Sequence, residues 1–572
     1  MSAIKPRREL RTVPRESTQA AAEFVAGLKE SVVNPNTGTF DSTASAEFIS
    51  NALNQSTVKV PETLQALLDE VDGAGQEKVV RAVLDGINEY ETQHGCEVPP
   101  DLMEYAFHLA YGTTNDASKR YGIPGAALDS ATSLHGDNLS LQPNRAIVAI
   151  LAALSEAIPF AHYLPADIGS NEAKTGILSH LASKNYGMYA ANGLMDGINS
   201  GDAYITSSRI DKVTVAAGAI PAGKLTSVQA TRDTCAAAAG DVVTVNLLRG
   251  RSQVYIGGKV VAAEVTSNQG GSGNSNISGS VTIASTTYAL GGTINTDTGV
   301  YQLTSTPMLP NGTEIIVEGF IDYDRMPSLK PTIITNVDMF TYYAKPWEVN
   351  TQVGIGSRTQ MANELGLDAY SEGVIAIQNQ FANERHYEVL VKALRLAANN
   401  TATMDMAWST QGVQKTRQDL IQEMLGSILG AASQQMAIDT LAYGISHLYV
   451  GKYMAAQLRL LPNDIFQPSG IRDRAGIYRI GRLFGTYDVY YTPKILTDSN
   501  SASQILCVGR APDVTRNPFV LGDAVSPTVI PLAVGTDLKS GAGFYARNFT
   551  EVNKHSPSAS GCALISVTNM GL

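Results

Sequence analysis

Residues 218–225 read GAIPAGKL, with Gly218, then four residues, then Gly223 and Lys224. That spacing belongs to phosphate-binding loops, where backbone N–H groups and the lysine cradle the phosphates. Leu225 stands where a Ser or Thr hydroxyl would hold Mg²⁺, and the following TSVQATRD is strand-like. No helix N-terminus would therefore face an anion, and a β-turn accounts for the stretch. GIGS at 354–357 lacks the third glycine and the preceding βαβ unit of a dinucleotide fingerprint. It reads as a bend before a helix.

The eight histidines are His94, His108, His135, His162, His180, His386, His447 and His555, and none forms a His-Glu-x-x-His pair. Ser446 precedes His447 in YGISHLYV, without the full set of glycines of a nucleophile elbow. Neighbours in a strand point to opposite faces, so this pair is not expected to work together. Cys96, Cys235, Cys507 and Cys562 have no metal-ligand spacing, and four cysteines in 572 residues make no disulfide framework. They read as buried thiols of a protein folded in a reducing cytosol. Nothing singles out a pair among the 53 acidic residues. The expectation is a protein that is not an enzyme, with no catalytic, cofactor-binding or metal-ligating residue and no cofactor.

The bulk properties bound the class of protein. Apolar residues make up 44% of the chain and charged residues 17%, enough for real cores and too little charge for disorder. A net charge of -11 argues against a surface covered in phosphate-binding groups. No apolar run approaches the roughly 20 residues of a membrane span. The first 17 residues carry five basic and two acidic side chains with no apolar core behind them, which is not a secretory signal.

The elements that must position any site change in texture along the chain. From 17 to about 157 the pattern is helical; Val79, Val83, Ile87 and Tyr90 share one face. Residues 146–154 are apolar nearly all round between Pro143 and Pro159, which predicts a buried helix. From about 210 to 350 the period becomes two, with Asp-Thr-Gly and Pro-Asn-Gly turns. QGGSGNSNISGS (269–280) reads as a mobile hairpin tip. Helix returns at 368–398, where Tyr370, Val374, Ile377, Phe381, Tyr387, Val391, Leu394 and Ala398 form a stripe broken at Glu384. A second helix starts near Thr416, its cap, with Leu420, Met424, Ile428 and Ala431 as its stripe. After about 475 strand and loop dominate, including GRLFGTYDVYYTP, where Tyr487, Val489 and Tyr491 share one face and Asp488 and Tyr490 the other. The fold class is α+β, with a β-module between helical halves.

Residues 326–572 resemble the major capsid proteins of T-even-like myophages, tailed bacteriophages with the Hong Kong 97-like fold. LKPTIITNVDMFTYYAKPWEVNTQVGIGSRTQMANELG (329–366) looks like that family's extended loop returning to the body, and 368–398 like its spine helix. TRQDLIQEMLGSILGAASQQM and HLYVGKYMAAQLRLL are similar to its axial-domain helices. GRLFGTYDVYYTP, ILCVGR, NPFVLGDAVSPTVIPL and GFYARNFTEVNKHSP then follow in the family's order. The helical N-terminal region over 1–140 and the inserted β-rich domain over 216–325 are read from periodicity and carry no motif of the family. The resemblance implies the start of the peripheral domain and extended loop over 141–215, the extended-loop return over 326–366, and the spine helix and peripheral domain over 367–412. An axial domain over 413–537 and closing strands over 538–572 complete the chain.

That resemblance implies a virion protein, assembled in the host bacterial cytoplasm, forming hexameric and pentameric capsomers of an icosahedral shell around double-stranded DNA. The implied partners are further copies of itself, scaffold, portal and decoration or vertex proteins, and non-specific DNA, with no membrane. Relatives are trimmed after Glu in Leu/Ile-x-Glu; 28–30, 87–89, 102–104 and 154–156 all match, so the pattern does not choose among them. The basic arm ending at Arg15 would touch DNA or a neighbour. The competing readings are an encapsulin-like compartment shell, a β-rich binding or adhesin protein using 210–350, and a cytosolic hydrolase.

Overall fold

The structure, a computed structural model, describes residues 19–28, 60–69, 73–114, 147, 150–151, 153–154, 157–164, 171–229, 243–266, 271–365, 369–407, 417–532 and 539–570. The basic arm, His135, Cys235 and the Thr416 cap lie outside these residues. Contacts divide the chain into two units, one of 1–175 with 339–572 and one of Gly176–Asp338. The chain passes between them on strands Glu172–Ala182 and Ile333–Tyr343, which pair with each other.

The larger unit is mixed α+β. Its seven-stranded sheet runs Thr401–Asp405, Cys562–Thr568, Ala502–Gly509, Ile445–Val450, Tyr487–Tyr491, Tyr478–Leu483 and Phe466–Pro468 in spatial order. Both faces are covered. Helices Gly73–His94 and Pro100–Thr114 join Tyr449, Tyr490, Leu506 and Val508 in one core. Helices Gly426–Thr440 and Lys452–Arg459 join Leu448, Val489, Ile505 and Ile565 in the other. Strands buried on two faces need continuous apolar runs, and QILCVG and HLYV supply them. In the hairpin of Tyr478–Leu483 and Tyr487–Tyr491, Val489 enters the second core with Tyr487 and Tyr491 against it, while Tyr490 enters the first, as the alternation predicts. Its turn holds Phe484 at φ 52°, a left-handed conformation that a bulky residue rarely adopts.

Val79, Val83, Ile87 and Tyr90 are all buried. Around 147–154, Ile150 and Leu154 are buried but Ile147 and Leu151 only half-buried, so that segment is less enclosed than its composition predicts. The helix expected from Thr416 is interrupted. Arg417–Leu420 is α-helical, Ile421–Leu425 forms a π-turn, and Gly426–Thr440 resumes the α-helix. A π-turn adds one residue to the repeat, which moves the buried stripe by one position. Leu420 is buried as expected, but Leu425, Leu429 and Ala432 replace Met424, Ile428 and Ala431 as the fully buried residues; Ala431 is exposed.

The long helix is Ala369–Leu396, roughly 42 Å at 1.5 Å per residue. Its first half lies on a four-stranded sheet ordered His162–Tyr163, Phe519–Leu532, Lys539–Val552, Lys345–Gly354. There Ile377 and Phe381 pack on Phe544, Ala546 and Trp347; the Phe381 ring meets Trp347 edge-on at 5.2 Å. Its second half buries Val389, Leu390 and Ala393 in the first core, leaving Tyr387, Val391 and Leu394 half-buried; in the 3-10 turn Ala397–Asn399 that follows, Ala397 is buried and Ala398 exposed. The stripe therefore turns by a fraction of a helical step between Phe381 and Val389. The residue that bridges the change is Arg385, buried. Its Nη2 lies 3.2 Å from Asp523 Oδ1 and its Nε donates to Thr550 Oγ1 at 3.2 Å. Tyr105 donates to the other Asp523 oxygen at 2.5 Å, so one ion pair ties helix Pro100–Thr114, the long helix and strand Phe519–Leu532 together.

In the smaller unit eight antiparallel strands are ordered Ser208–Thr214, Glu314–Phe320, Gln253–Ile256, Lys259–Val265, Asn274–Ile283, Thr286–Asn295, Val300–Thr306 and Gly223–Lys224. The outermost strands approach each other: Asp211 Oδ2 accepts from the Lys224 N–H at 3.1 Å and from the Tyr301 hydroxyl at 2.8 Å. The first strand lies upstream of residue 216 and pairs along its whole length with Glu314–Phe320. The Asp-Thr-Gly and Pro-Asn-Gly turns form, with Gly299 and Gly312 at positive φ. The supposed hairpin tip is a correction. Residues 274–283 are a ten-residue strand with Ser275 and Ile277 buried, paired on both edges. Gly279 serves close approach there, since a Cβ would fall 2.1 Å from the Val261 carbonyl oxygen.

Two outcomes follow for the long helix. Phe381→Ala removes a ring from a filled cluster and should cost about 3–5 kcal/mol in denaturant melts; a variant that melts like the parent removes this face from the core. Arg385→Ala strands a buried carboxylate and should cost about 3–5 kcal/mol, whereas Arg385→Met with Asp523→Leu, which removes both charges, should recover most of it. A double variant that loses the sum of the two single-variant losses would show that the pair is not coupled.

Candidate functional site

The segment resembling a phosphate loop is a turn followed by a strand. Gly218 donates its N–H to Asn311 Oδ1 at 3.1 Å, and Gly223–Lys224 pairs with Val300–Tyr301. The Lys224 ammonium is held by Thr244 Oγ1 at 2.7 Å. Residues 225–229 are not helical, so no ring of N–H groups converges on an anion. Ile355–Gln360, at GIGS, is a short helix after the strand ending at Gly354.

Ser446 and His447 correct the expectation drawn from strand alternation. Ser446 Oγ lies 2.7 Å from His447 Nδ1. The register slips between Ile445 and His447 against the neighbouring strand, and this bulge re-aims the serine side chain. The hydroxyl also reaches the Val508 carbonyl at 3.3 Å. His447 is walled in by aromatic rings, with Phe160 at 6.1 Å and Tyr490 at 6.0 Å. A nucleophile–base pair needs a third group to orient the base and a cleft for substrate; the immediate surroundings here are core side chains.

Five further histidines have structural contacts. His162 bridges Asp101 Oδ2 at 2.6 Å and the Ala511 carbonyl at 2.7 Å, and Arg510 binds the same aspartate at 2.9 Å. Burial alone would raise Asp101, but the His162 hydrogen bond and Arg510 hold it at about 2. His180 pairs with Asp196 at 2.8 Å, and His555 caps the short helix Ser556–Ala559 through the Ser558 N–H. His386 Nε2 lies 3.0 Å from the Tyr449 hydroxyl, and His94 Nδ1 lies 3.3 Å from that of Tyr490. Burial pushes the thiols of Cys96, Cys507 and Cys562 up, away from thiolate reactivity. Among the described residues no cluster of three His, Cys, Asp or Glu side chains could hold a metal, and no helix is long and apolar enough to cross a membrane. Of the Leu/Ile-x-Glu matches, 87–89 and 102–104 lie inside helices Gly73–His94 and Pro100–Thr114.

The feature of the larger unit with most capacity for recognition is a surface. Strand Lys345–Gly354 pairs with Lys539–Val552 on one side and is the last of its sheet, so among the described residues no strand meets the backbone groups of its outer edge. Around it, large apolar side chains face solvent: Tyr343 is 59% exposed, Val349 46%, Ile355 47% and, on the long helix, Ile375 50%. Glu372 and Glu384 are exposed as well. Lys392 is half-buried and donates to the Glu388 carboxylate and the Thr550 carbonyl. Sequence reading placed an extended arm here without separating its paired edge from its open one, because partners of a strand are not written in its own residues.

No family model and no curated protein matches this chain. Solved structures give loose overall likeness. The capsid of jumbo bacteriophage PhiKZ aligns with a TM-score of 0.35 at 10% identity, covering 72% of this chain and 93% of that one. The capsid of Ralstonia phage GP4 gives 0.28 at 10%, covering 42% and 77%. The holo-SrpI encapsulin complex of Synechococcus elongatus gives 0.22 at 13%, covering 40% and 77%.

The histidine core generates a pH dependence. Burial, then Arg479, lowers His94 to about 4; burial, then His94, lowers His386 to about 3; burial, then Arg510, lowers His447 to about 3. Unfolded, each titrates near 6.5, so below that pH the unfolded chain binds more protons than the folded one. Stability is therefore full above pH 6.5 and falls as the pH drops toward 4. At roughly 1.4 kcal/mol per unit per histidine, the loss should reach several kcal/mol. Urea melts at pH 7 and pH 4.5 measure it, and equal midpoints would contradict neutral buried rings.

Proposed function

We propose that this chain is the major capsid protein of a tailed bacteriophage, with the Hong Kong 97-like fold. Subunits associate into hexamers and pentamers of an icosahedral shell that encloses double-stranded DNA. The observation that carries this reading is the open ten-residue edge strand Lys345–Gly354, with exposed Tyr343, Val349, Ile355 and Ile375 beside it. A row of unpaired N–H and C=O groups flanked by apolar side chains is a template for another chain. It coincides with the segments that resemble the family's extended loop and spine helix.

In this reading the long helix is the spine, 413–537 contains the axial domain, and 216–325 belongs to an inserted β-rich domain. Standard contacts bury about 800 Å² per partner, and repetition around a closed shell turns modest contacts into a stable assembly. Scaffold, portal and decoration or vertex proteins would meet the same particle, and DNA would be touched non-specifically. The virion is its location, with assembly in the host bacterial cytoplasm.

Sedimentation and negative-stain microscopy of the purified chain should find closed particles of megadalton mass. Val349→Asp and Ile375→Asp, at exposed positions, should change subunit stability by no more than about 0.5 kcal/mol. Both should lower particle yield at least tenfold. A parent chain that stays monomeric, or variants that assemble like the parent, would refute the proposal.

A further inference from the structure

Strand Lys345–Gly354 runs without a break into a helix that buries nothing. Gly354 is extended, Ile355–Gln360 follows as α-helix, and Met361–Leu365 continues it as a π-turn. From Ile355 to Glu364 every residue is exposed except Met361, which is half-buried. A Cβ added at Gly354 or Gly356 would meet no atom within 4 Å. Among the described residues, no face of this helix is packed.

Local forces do not account for it. Helices shorter than roughly 12–15 residues are marginal in water even when built from the best helix formers. This one contains Gly356, Ser357, Thr359 and Asn363, all poorer helix formers than alanine. Gly354 gives it no side-chain cap. Its side-chain bonds include Thr359 Oγ1 to the Ile355 carbonyl at 2.8 Å and Gln360 to Glu364 at 3.1 Å. Such pairs add little. The π-turn at Ile421–Leu425 offers a contrast, because Ile421 and Leu425 are buried and the second core holds the distorted ladder in place. The exposed π-turn has no such support, although most helical stability in proteins comes from a packed face.

The missing face must come from another molecule, and the surroundings favour a second copy of this chain. The helix continues the strand whose outer edge no described strand meets, so a chain pairing along that edge ends beside Ile355. Val349 and Ile355 place exposed apolar side chains along the same stretch. From Lys345 to Leu365 the charges are Lys345, Glu348, Arg358 and Glu364, which cancel. That balance offers DNA phosphates no surplus cation.

Resting on the shell reading, we infer that residues 355–365 take up their helix by docking on a second copy, so that this segment folds as the shell assembles. Ordering it costs conformational entropy at that step. The subunit's apparent affinity for its neighbours is lowered by the fraction of time the segment spends unfolded. Association of free subunits is thereby restrained, and the helix becomes part of the contact once made.

Hydrogen exchange of the full chain, read by mass spectrometry on dispersed subunits and on particles, tests this. The amides of 356–364 should exchange at least a hundredfold more slowly in particles than in the dispersed chain. Ala362→Pro breaks the helix and should lower particle yield at least tenfold, with the urea midpoint of the dispersed chain unchanged. Gly356→Ala has room for its methyl and favours helix, so it should lower the concentration needed for assembly roughly threefold. Protection already present in the dispersed chain means that the subunit's own residues cover the helix, and overturns the inference. Particles in which 356–364 exchange as fast as in the dispersed chain, or Ala362→Pro assembling like the parent, overturn it while the shell reading stands. A parent chain that forms no particles overturns both.

Discussion

One buried ion pair organises the larger unit. Arg385 sits where the long helix changes from packing on the four-stranded sheet to packing in the helical core, and Asp523 answers it from the sheet. Tyr105 brings helix Pro100–Thr114 to the same carboxylate. Burying two charges is costly unless geometry and further hydrogen bonds compensate, so such a pair fixes position more than it adds stability. Three elements drawn from distant parts of the sequence are thereby held in one register. A sliding helix would break a charge-assisted contact, whereas Phe381 sliding over Phe544 would meet another apolar surface.

With the helix fixed, the two sheets of that unit have contrasting roles. The seven-stranded sheet is covered on both faces, and its ionisable residues are neutralised by pairing or burial: Arg479 holds Asp488 at 2.6 Å, and His447 stays uncharged among aromatic rings. The four-stranded sheet ends in a long strand with one free edge and apolar side chains in water. Monomeric proteins usually blunt such edges. Among the described residues no strand covers this one, and the neighbouring helix carries exposed Ile375, so apolar surface and edge backbone lie side by side.

Local patterning settled much of the architecture in advance. Val79, Val83, Ile87 and Tyr90 had to share a helical face, and Tyr487, Val489 and Tyr491 had to oppose Asp488 and Tyr490, because 3.6- and 2-residue periods are properties of a single segment. The turns at Gly299 and Gly312 were readable for the same reason, since the left-handed backbone there favours glycine. The helix after residue 416 was readable as a helix, but its buried face was not. The π-turn at Ile421–Leu425 moved the stripe by one, and nothing in its composition marks it. The Ser446–His447 contact was misread because a bulge is imposed by the neighbouring strand.

The sequence by itself therefore determined the alternation of helical and β texture, the mixed class, and which face most segments bury, since these follow from short-range spacing. Tertiary structure alone decided that Arg385 would meet an aspartate 138 positions away, and that Lys345–Gly354 would have one paired edge and one that no described strand meets. Each of these depends on which distant groups arrive beside a residue. Hydrogen-bond partners and burial are properties of that meeting, and no spacing rule within one segment encodes them.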